Sequence, residues 1–370
     1  MATMAVRYAV LVLALCYGCN TNGEIEDSSI SDATESGTKN EETGELTGRT
    51  PHNFREILPD ELASEAAEIP GITSFILFQN GQKVVKYFSG TMGPDSAVNI
   101  KSASKSIMSA LIGIAIEEGY INSPDDRVEK YIPGYFENLD EPEKSAITIR
   151  HLLTMSSGLE STSFRNYGSW VNSNDWVAHK LNGPLNHNPG EHMRYSTGDT
   201  HLLSVVLAAA SGMSARRFAQ TYLFDPINQN IKGWDRDPSG YYFGGNNMSV
   251  SPEALLKFGR LYLEGGSFEG KSVIPPDWLE ESFTVYFDDT SYNYRDHDYG
   301  LLWWRNEFQG YESWFAWGYG GQYLFVLPDL DALAVFTSNP ESRAAERNDR
   351  IYEVMENMTI PLLYHNKQGF

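Results

Sequence analysis

The sequence predicts an α+β fold: an antiparallel sheet formed by N- and C-terminal strands, flanked by helices, with a mainly helical subdomain inserted at about residues 120–260. Three observations support this. Strand-like runs stand at both ends of the folded region. The residues between them carry apolar groups at helical spacing, punctuated by Ser and Gly. A lone hairpin is marginal in water, so the two strand groups are expected to complete one another in one sheet.

The elements follow in order. "ITSFILFQ" and "QKVVKYFSG" flank Asn80-Gly81, the dipeptide that best suits a type I′ turn, and predict a hairpin. "NIKSASKSIM", residues 99–108, opens a helix that runs through "SALIGIAIEEG" and stops at Gly119. "ITIRHLLTMSSGL" and "STGDTHLLSVVLAAASG" read as helices of the insertion. "SPEALLKFGRLYLEGG" begins with a cap at Ser251, has Pro252 in its first turn and ends at Gly265-Gly266. Strand character returns in "LLWWRN", "SWFAWG" and "QYLFVLPDLDALAVFTS", the last being two strands joined by Pro328 to Asp331. A final helix is expected from about Ala344 to Asn357. No internal repeat is visible.

At 370 residues the chain exceeds the usual single-domain size, and residues 51–370 are read as one large domain carrying the insertion. Residues 1–19 combine Arg7 with an apolar run from Ala9 to Leu15, too short to span a bilayer, and read as an export signal. Both cysteines, Cys16 and Cys19, lie in it, so the folded part has no disulfide, thiolate nucleophile or cysteine metal site. Cys16-Tyr17-Gly18-Cys19-Asn20 resembles a bacterial lipobox with Cys19 as the lipidated residue, although Cys16 stands where an aliphatic residue is usual. The expectation is an exported bacterial lipoprotein held on a membrane and facing periplasm or cell exterior; a plain secretory signal is the alternative. Residues 20–50, with eight acidic and two basic side chains and few large apolar ones, read as a disordered tether. The whole chain carries a net charge of −21, which disfavours nucleic acid as a partner.

Within "NIKSASKSIM", Lys105 is one helical turn from Ser102 and from Ser109, while Ser104 and Ser106 point elsewhere. Ser109 lies among apolar neighbours. Ser102 stands at the helix start, where unpaired N–H groups can stabilise an oxyanion. A serine hydroxyl needs a base within hydrogen-bond reach, and Lys105 would serve if burial or a nearby cation such as Lys101 lowered its pKa. S-x-x-K alone is a weak signal, since Ser36-Gly37-Thr38-Lys39 in the tether matches equally well. Among the aromatic residues, Trp170, Trp176, Trp303, Trp304, Trp314 and Trp317 are candidates for core or pocket, and Trp170 and Trp317 are kept as pocket walls. His187, His192 and Asp296-His297-Asp298 lack H-E-x-x-H spacing, so neither a metal nor another cofactor is expected.

Ser102-x-x-Lys105, followed by "MRYSTGDTHLL" and "WGYGGQYLFV", resembles the serine β-lactamase and penicillin-binding-protein superfamily over about residues 70–360. The closest likeness is to its class C-like esterase branch, which includes 6-aminohexanoate-dimer hydrolases. The resemblance implies a β-lactamase/transpeptidase-like fold, acylation of Ser102, Lys105 as a base and Tyr195 as proton carrier. Thr197 stands where the family's Y-x-N motif has Asn. Tyr319-Gly320-Gly321 takes the place of K-T-G or H-G-G, with the N–H of Gln322 as oxyanion donor beside that of Ser102. A phenol at the K-T-G lysine position implies a neutral ester or amide substrate in preference to a β-lactam. The expected activity is a serine hydrolase, a carboxylesterase or amidase; a β-lactamase or D-alanyl-D-alanine carboxypeptidase, and a non-catalytic penicillin-binding-like lipoprotein, are the alternatives. The three motifs are 93 and 124 residues apart.

Overall fold

The computed structural model describes residues 53–288, 290, 297–342 and 345–369, which form one unit. The expected signal, tether, Cys19, Ser36 and Lys39 lie outside the described residues, as does Asp296. The main sheet has seven strands: β1 (Ile72–Gln79), β2 (Gln82–Phe88), β3 (Asp298–Tyr299), β4 (Trp304–Phe308), β5 (Tyr311–Gly318), β6 (Gln322–Leu327) and β7 (Ala332–Ser338). Their order is β2-β1-β7-β6-β5-β4-β3, antiparallel throughout. The strands from the two ends of the fold therefore meet at β1 and β7, where Phe75 pairs with Phe336 and their rings stack at 4.5 Å. Asn80 and Gly81 both take positive φ, +50° and +79°, as the β1–β2 turn requires.

Every residue of β6 and β7 is buried, because helices cover both faces of the sheet's centre. On one face lies the helix Pro252–Leu263, capped by Ser251, which accepts from Ala254 N; its Gly259 sits against Leu324 and Leu333. On the other face Tyr352 meets Phe325 edge-on at 6.2 Å. The final helix is longer than the sequence suggests. It runs Arg347–Val354 and continues to Gln368, because the turn Met355–Thr359 widens to π-helical bonding ahead of Pro361 and so tolerates the proline's missing N–H.

Between β2 and β3 the chain forms helix α1 (Ser104–Glu117), α2 (Ile149–Leu153), α3 (Trp176–Asn182), α4 (Thr197–Ser211) and further short helices. A three-stranded sheet joins Val98–Asn99 and Gly233–Trp234 to Met248–Val250. The sequence does not announce it, since two- and three-residue strands are too short to show alternation. Helix α1 is buried on every side from Ser104 to Ala115, the pattern of a helix inside a large core. That placement buries Lys105.

Candidate active site

The stretch ahead of α1 is held at both ends. Asn99 is paired with Ser249 in the small sheet, and Ile100 N donates to Met248 O at 2.9 Å. Lys101 then takes a positive φ of +50°, unusual for a lysine, and a 3₁₀ turn, Lys101–Ala103, leads into α1. The four serines separate cleanly. Ser104 Oγ donates to Lys101 O and Ser106 Oγ to Leu302 O, while Ser109 Oγ is buried without a hydrogen-bond partner. Only Ser102 meets Lys105, whose Nζ donates to its Oγ at 3.2 Å.

Lys105 is 2% exposed, and its amine also donates to Gly245 O at 2.6 Å and Thr197 Oγ1 at 3.4 Å. Burial pushes its pKa down to about 7, partly opposed by the negative charge of Asp199. Lys101 plays no part in that shift, so desolvation rather than a neighbouring cation prepares the amine. Gly245 allows this contact: a Cβ there would stand 1.9 Å from Thr200 Oγ1 and 2.8 Å from Lys105 Nζ. The pair Gly244-Gly245 in "YYFGGNN" was the sequence signal for this approach, and sequence reasoning missed it.

Tyr195 lies across from the lysine, with Lys105 Nζ 5.1 Å from its ring centroid and a hydrogen bond linking its phenol to Ser102. Burial raises the phenol above its ordinary pKa, with Ser102 opposing. Tyr195 is therefore a neutral donor and acceptor, not the acidified phenol that easy exchange with an amine would favour. Trp304 stacks beneath it, and exposed Phe164, at a φ of +55°, lies beside it with ring centroids 6.3 Å apart. Thr197 begins α4. Ser163 Oγ accepts from Thr197 N at 2.9 Å and meets Thr197 Oγ1 at 3.0 Å, and Thr162 Oγ1 accepts from Gly198 N at 2.8 Å. Thr162 and Ser163 thus satisfy two of the orphan N–H groups of the helix start, a role not read from the sequence.

The strand motif sits differently from the sequence-based alignment. Gly318, the last residue of β5, makes the close approach to the serine's turn: a Cβ there would lie 2.2 Å from Ile100 O and 3.1 Å from Ala103 N. Gly320 and Gly321 form the hairpin turn, with Pro340 and Arg347 packed against them. Gln322 faces Gly318 across the hairpin, and its buried side chain donates to Ser338 O at 2.8 Å and accepts from Ser338 N. The residue packed against the turn that carries Ser102 is thus Gly318. Tyr319, just beyond it, projects its ring into solvent, 71% exposed.

Trp317 is half-buried and stacks on Tyr323. Trp170 is a core residue and not a pocket wall: it is fully buried, donates to Trp176 O at 3.0 Å and packs with Trp176, His201 and Phe243. His187 and His192 place their rings 4.4 Å apart, and among the described residues no group of three or more His, Asp, Glu or Cys side chains could hold a metal.

With this geometry in hand, the likenesses to known proteins fall into place. A family model described as beta-lactamase matches residues 59–357. The 6-aminohexanoate-dimer hydrolase of Paenarthrobacter ureafaciens is 23% identical over 306 residues, which cover 73% of this chain and 74% of that protein. Penicillin-binding protein 4* of Bacillus subtilis is 30% identical over 208 residues, 52% of this chain and 40% of its own length. The crystal structure of a D-stereospecific amidohydrolase from Streptomyces sp. superposes with a TM-score of 0.61 at 18% identity, covering 80% of this chain and 96% of that one, a likeness of fold.

Proposed function

The chain belongs to the beta-lactamase family, and on that footing we propose that it is a serine hydrolase cleaving a carboxylic ester or amide bond through an acyl-enzyme on Ser102. The observation that carries this reading is the contact of a buried, desolvated amine with one serine hydroxyl, Lys105 Nζ to Ser102 Oγ at 3.2 Å. An amine with a pKa of about 7 is substantially neutral at neutral pH and can accept the hydroxyl proton as Ser102 attacks the carbonyl carbon. Tyr195, hydrogen-bonded to Ser102, relays a proton to the leaving oxygen or nitrogen without becoming a lasting phenolate. The N–H groups of Ser102 and of Tyr319, the residue after Gly318, are the proposed oxyanion donors. Water then attacks the ester on Ser102 with the same amine as base, releasing the acid.

Thr197 and the exposed rings of Tyr319 and Phe164 are the proposed substrate contacts, with Trp317 behind them. With Gly318 as the last glycine of the strand triad, buried Ala316 stands where K-T-G proteins carry lysine, which favours a neutral substrate, and the amide-cleaving names among the relatives fit that class. Export and a lipid on Cys19 belong to the same proposal, with the small-molecule substrate and a membrane as the expected partners.

A panel of aryl esters, linear amide oligomers, D-amino acid peptides and cephalosporins, run on the parent and on Ser102→Ala, tests the reading. Turnover of an aryl ester or amide that disappears in Ser102→Ala is expected. Faster turnover of a cephalosporin would move the assignment to a β-lactamase. Acylation of Ser102 without release on any substrate would leave a binding protein.

A further inference from the structure

The reaction described above leaves a second buried amine unused. Lys180, from α3, and Asp199, in the first turn of α4, form an ion pair at 2.7 Å with each side chain 1% exposed. Both groups are further bound: Lys180 Nζ donates to Ser196 Oγ at 3.1 Å and Glu160 O at 2.9 Å, and Asp199 Oδ2 accepts from Ser157 Oγ at 2.9 Å. Ser157 belongs to "ITIRHLLTMSSGL", a stretch to which the reaction assigns no step. A buried ion pair is weak evidence of added stability, because desolvating both charges offsets most of their attraction. Its location is more informative.

Two buried lysines approach the start of α4 together. Lys105 touches Thr197, while Lys180 touches Ser196 and Asp199, so the amines bracket the turn that follows Tyr195. Gly198 permits it, since a Cβ there would lie 3.0 Å from Lys180 Cδ and 2.6 Å from Thr162 Oγ1. Around Lys105, Ser102, Tyr195, Thr197 and the Gly245 carbonyl are uncharged, and Asp199 supplies the charge that favours its protonated form. Around Lys180 the acidic groups are Asp199 and Glu160.

We propose that Lys180 and Asp199 are a positioning pair for the hydrolase, holding Tyr195-Ser196-Thr197 against Lys105 and presenting that amine with a balanced charge. The proposal rests on the hydrolase reading, in which Lys105 works as a free amine. Lys180→Met exposes Lys105 to an uncompensated carboxylate and favours its ammonium form. Asp199→Asn exposes it to an uncompensated ammonium and favours the neutral form. The double variant restores the balance.

Two readouts test this on the full chain: the acid limb of kcat/KM for an aryl ester, and direct NMR titration of Lys105 in ¹³C-lysine-labelled protein, assigned with Lys105→Arg. Both midpoints should rise in Lys180→Met and fall in Asp199→Asn, each by about half a pH unit or more, and return towards the parent value in the double variant. If Lys180→Met does not fold, Lys180→Gln carries the same comparison. Midpoints that stay put while only thermal stability drops, or that move the same way in both variants, overturn the pair's role and leave the hydrolase reading intact. Opposite NMR shifts in a parent without turnover would support the pair while removing the hydrolase reading.

Discussion

Trp304 lies under Tyr195 with ring centroids 5.7 Å apart and 25° between the planes, so the phenol that touches Ser102 rests on a buried indole. The stack fixes the ring plane, which in turn fixes where the hydroxyl points. Trp304→Ala should lower kcat/KM for an aryl ester by about fivefold, mainly through kcat, the loss expected when an aromatic pair worth about 1 kcal/mol no longer orients the group. Trp304→Phe should retain most of the rate. Equal losses in both variants would show that the stack does not orient Tyr195.

The pH profile has a defined sign. In the proposed reaction the neutral form of Lys105 is the base, so kcat/KM should rise with pH through an apparent pKa of about 7 and level off above it. A rate already flat from pH 5 upwards would mean that this amine does not titrate in the reaction.

The same burial carries a cost in stability. The folded-state pKa of Lys105 lies below its unfolded value, so unfolding takes up a proton wherever the pH lies between the two. Its contribution therefore becomes more favourable as pH rises from about 7 towards the unfolded value, and the full cost of burying the ammonium is felt below pH 7. Lys105→Met should abolish turnover and raise the melting temperature, with the larger gain at pH 6 than at pH 9, the cost removed being on the order of a few kcal/mol. Melting curves at the two pH values check this.

Ser109 and Ser102 flank Lys105 by one turn each and should behave oppositely. Ser109 Oγ is buried without a hydrogen-bond partner, so Ser109→Ala should leave turnover unchanged and stability equal or higher, by up to about 1 kcal/mol. Ser102→Ala should be inactive and well folded.

Arg347 is a positioning candidate outside the reacting groups. Its guanidinium donates to Pro70 O, Gly320 O and Ser342 O, three carbonyls that a lysine could not reach together. Arg347→Lys should therefore lower kcat by about tenfold or more with a smaller effect on KM, through a loosened Tyr319–Gly321 turn. Unaltered kinetics in a stable variant would show that the turn holds itself.

The main sheet was legible because its signals are local: Asn80-Gly81 marks one turn, Pro328 to Asp331 another, and the strands between them are strongly apolar. The pairing of Ser102 with Lys105 was legible because a helix fixes the three-residue offset. Gly318 was not, since Gly320 and Gly321 look like the better motif and only the hairpin register shows which glycine reaches Ile100. Trp170 was misplaced for a related reason: composition cannot tell an aromatic that lines a cleft from one sealed behind Trp176 and Phe243. Ser163 and Lys180 act from 61 and 78 positions beyond Ser102, distances across which a single chain's spacing carries no signal, while the glycine pair at Gly245 marks a close approach without saying to which residue.

Arg347 also sets a timetable. Through it, the turn next to Ser102 is tied to Pro70, at the entry to β1, and to the helix that follows β7, while β7 itself closes on β1. A growing chain that has made Ser102, Lys105 and Tyr195 still lacks this clamp and the strand bearing Gly318. The proposed nucleophile is therefore synthesised long before its surroundings are complete, and the clamp closes only when the chain has grown past Arg347 and the first strand has found the last.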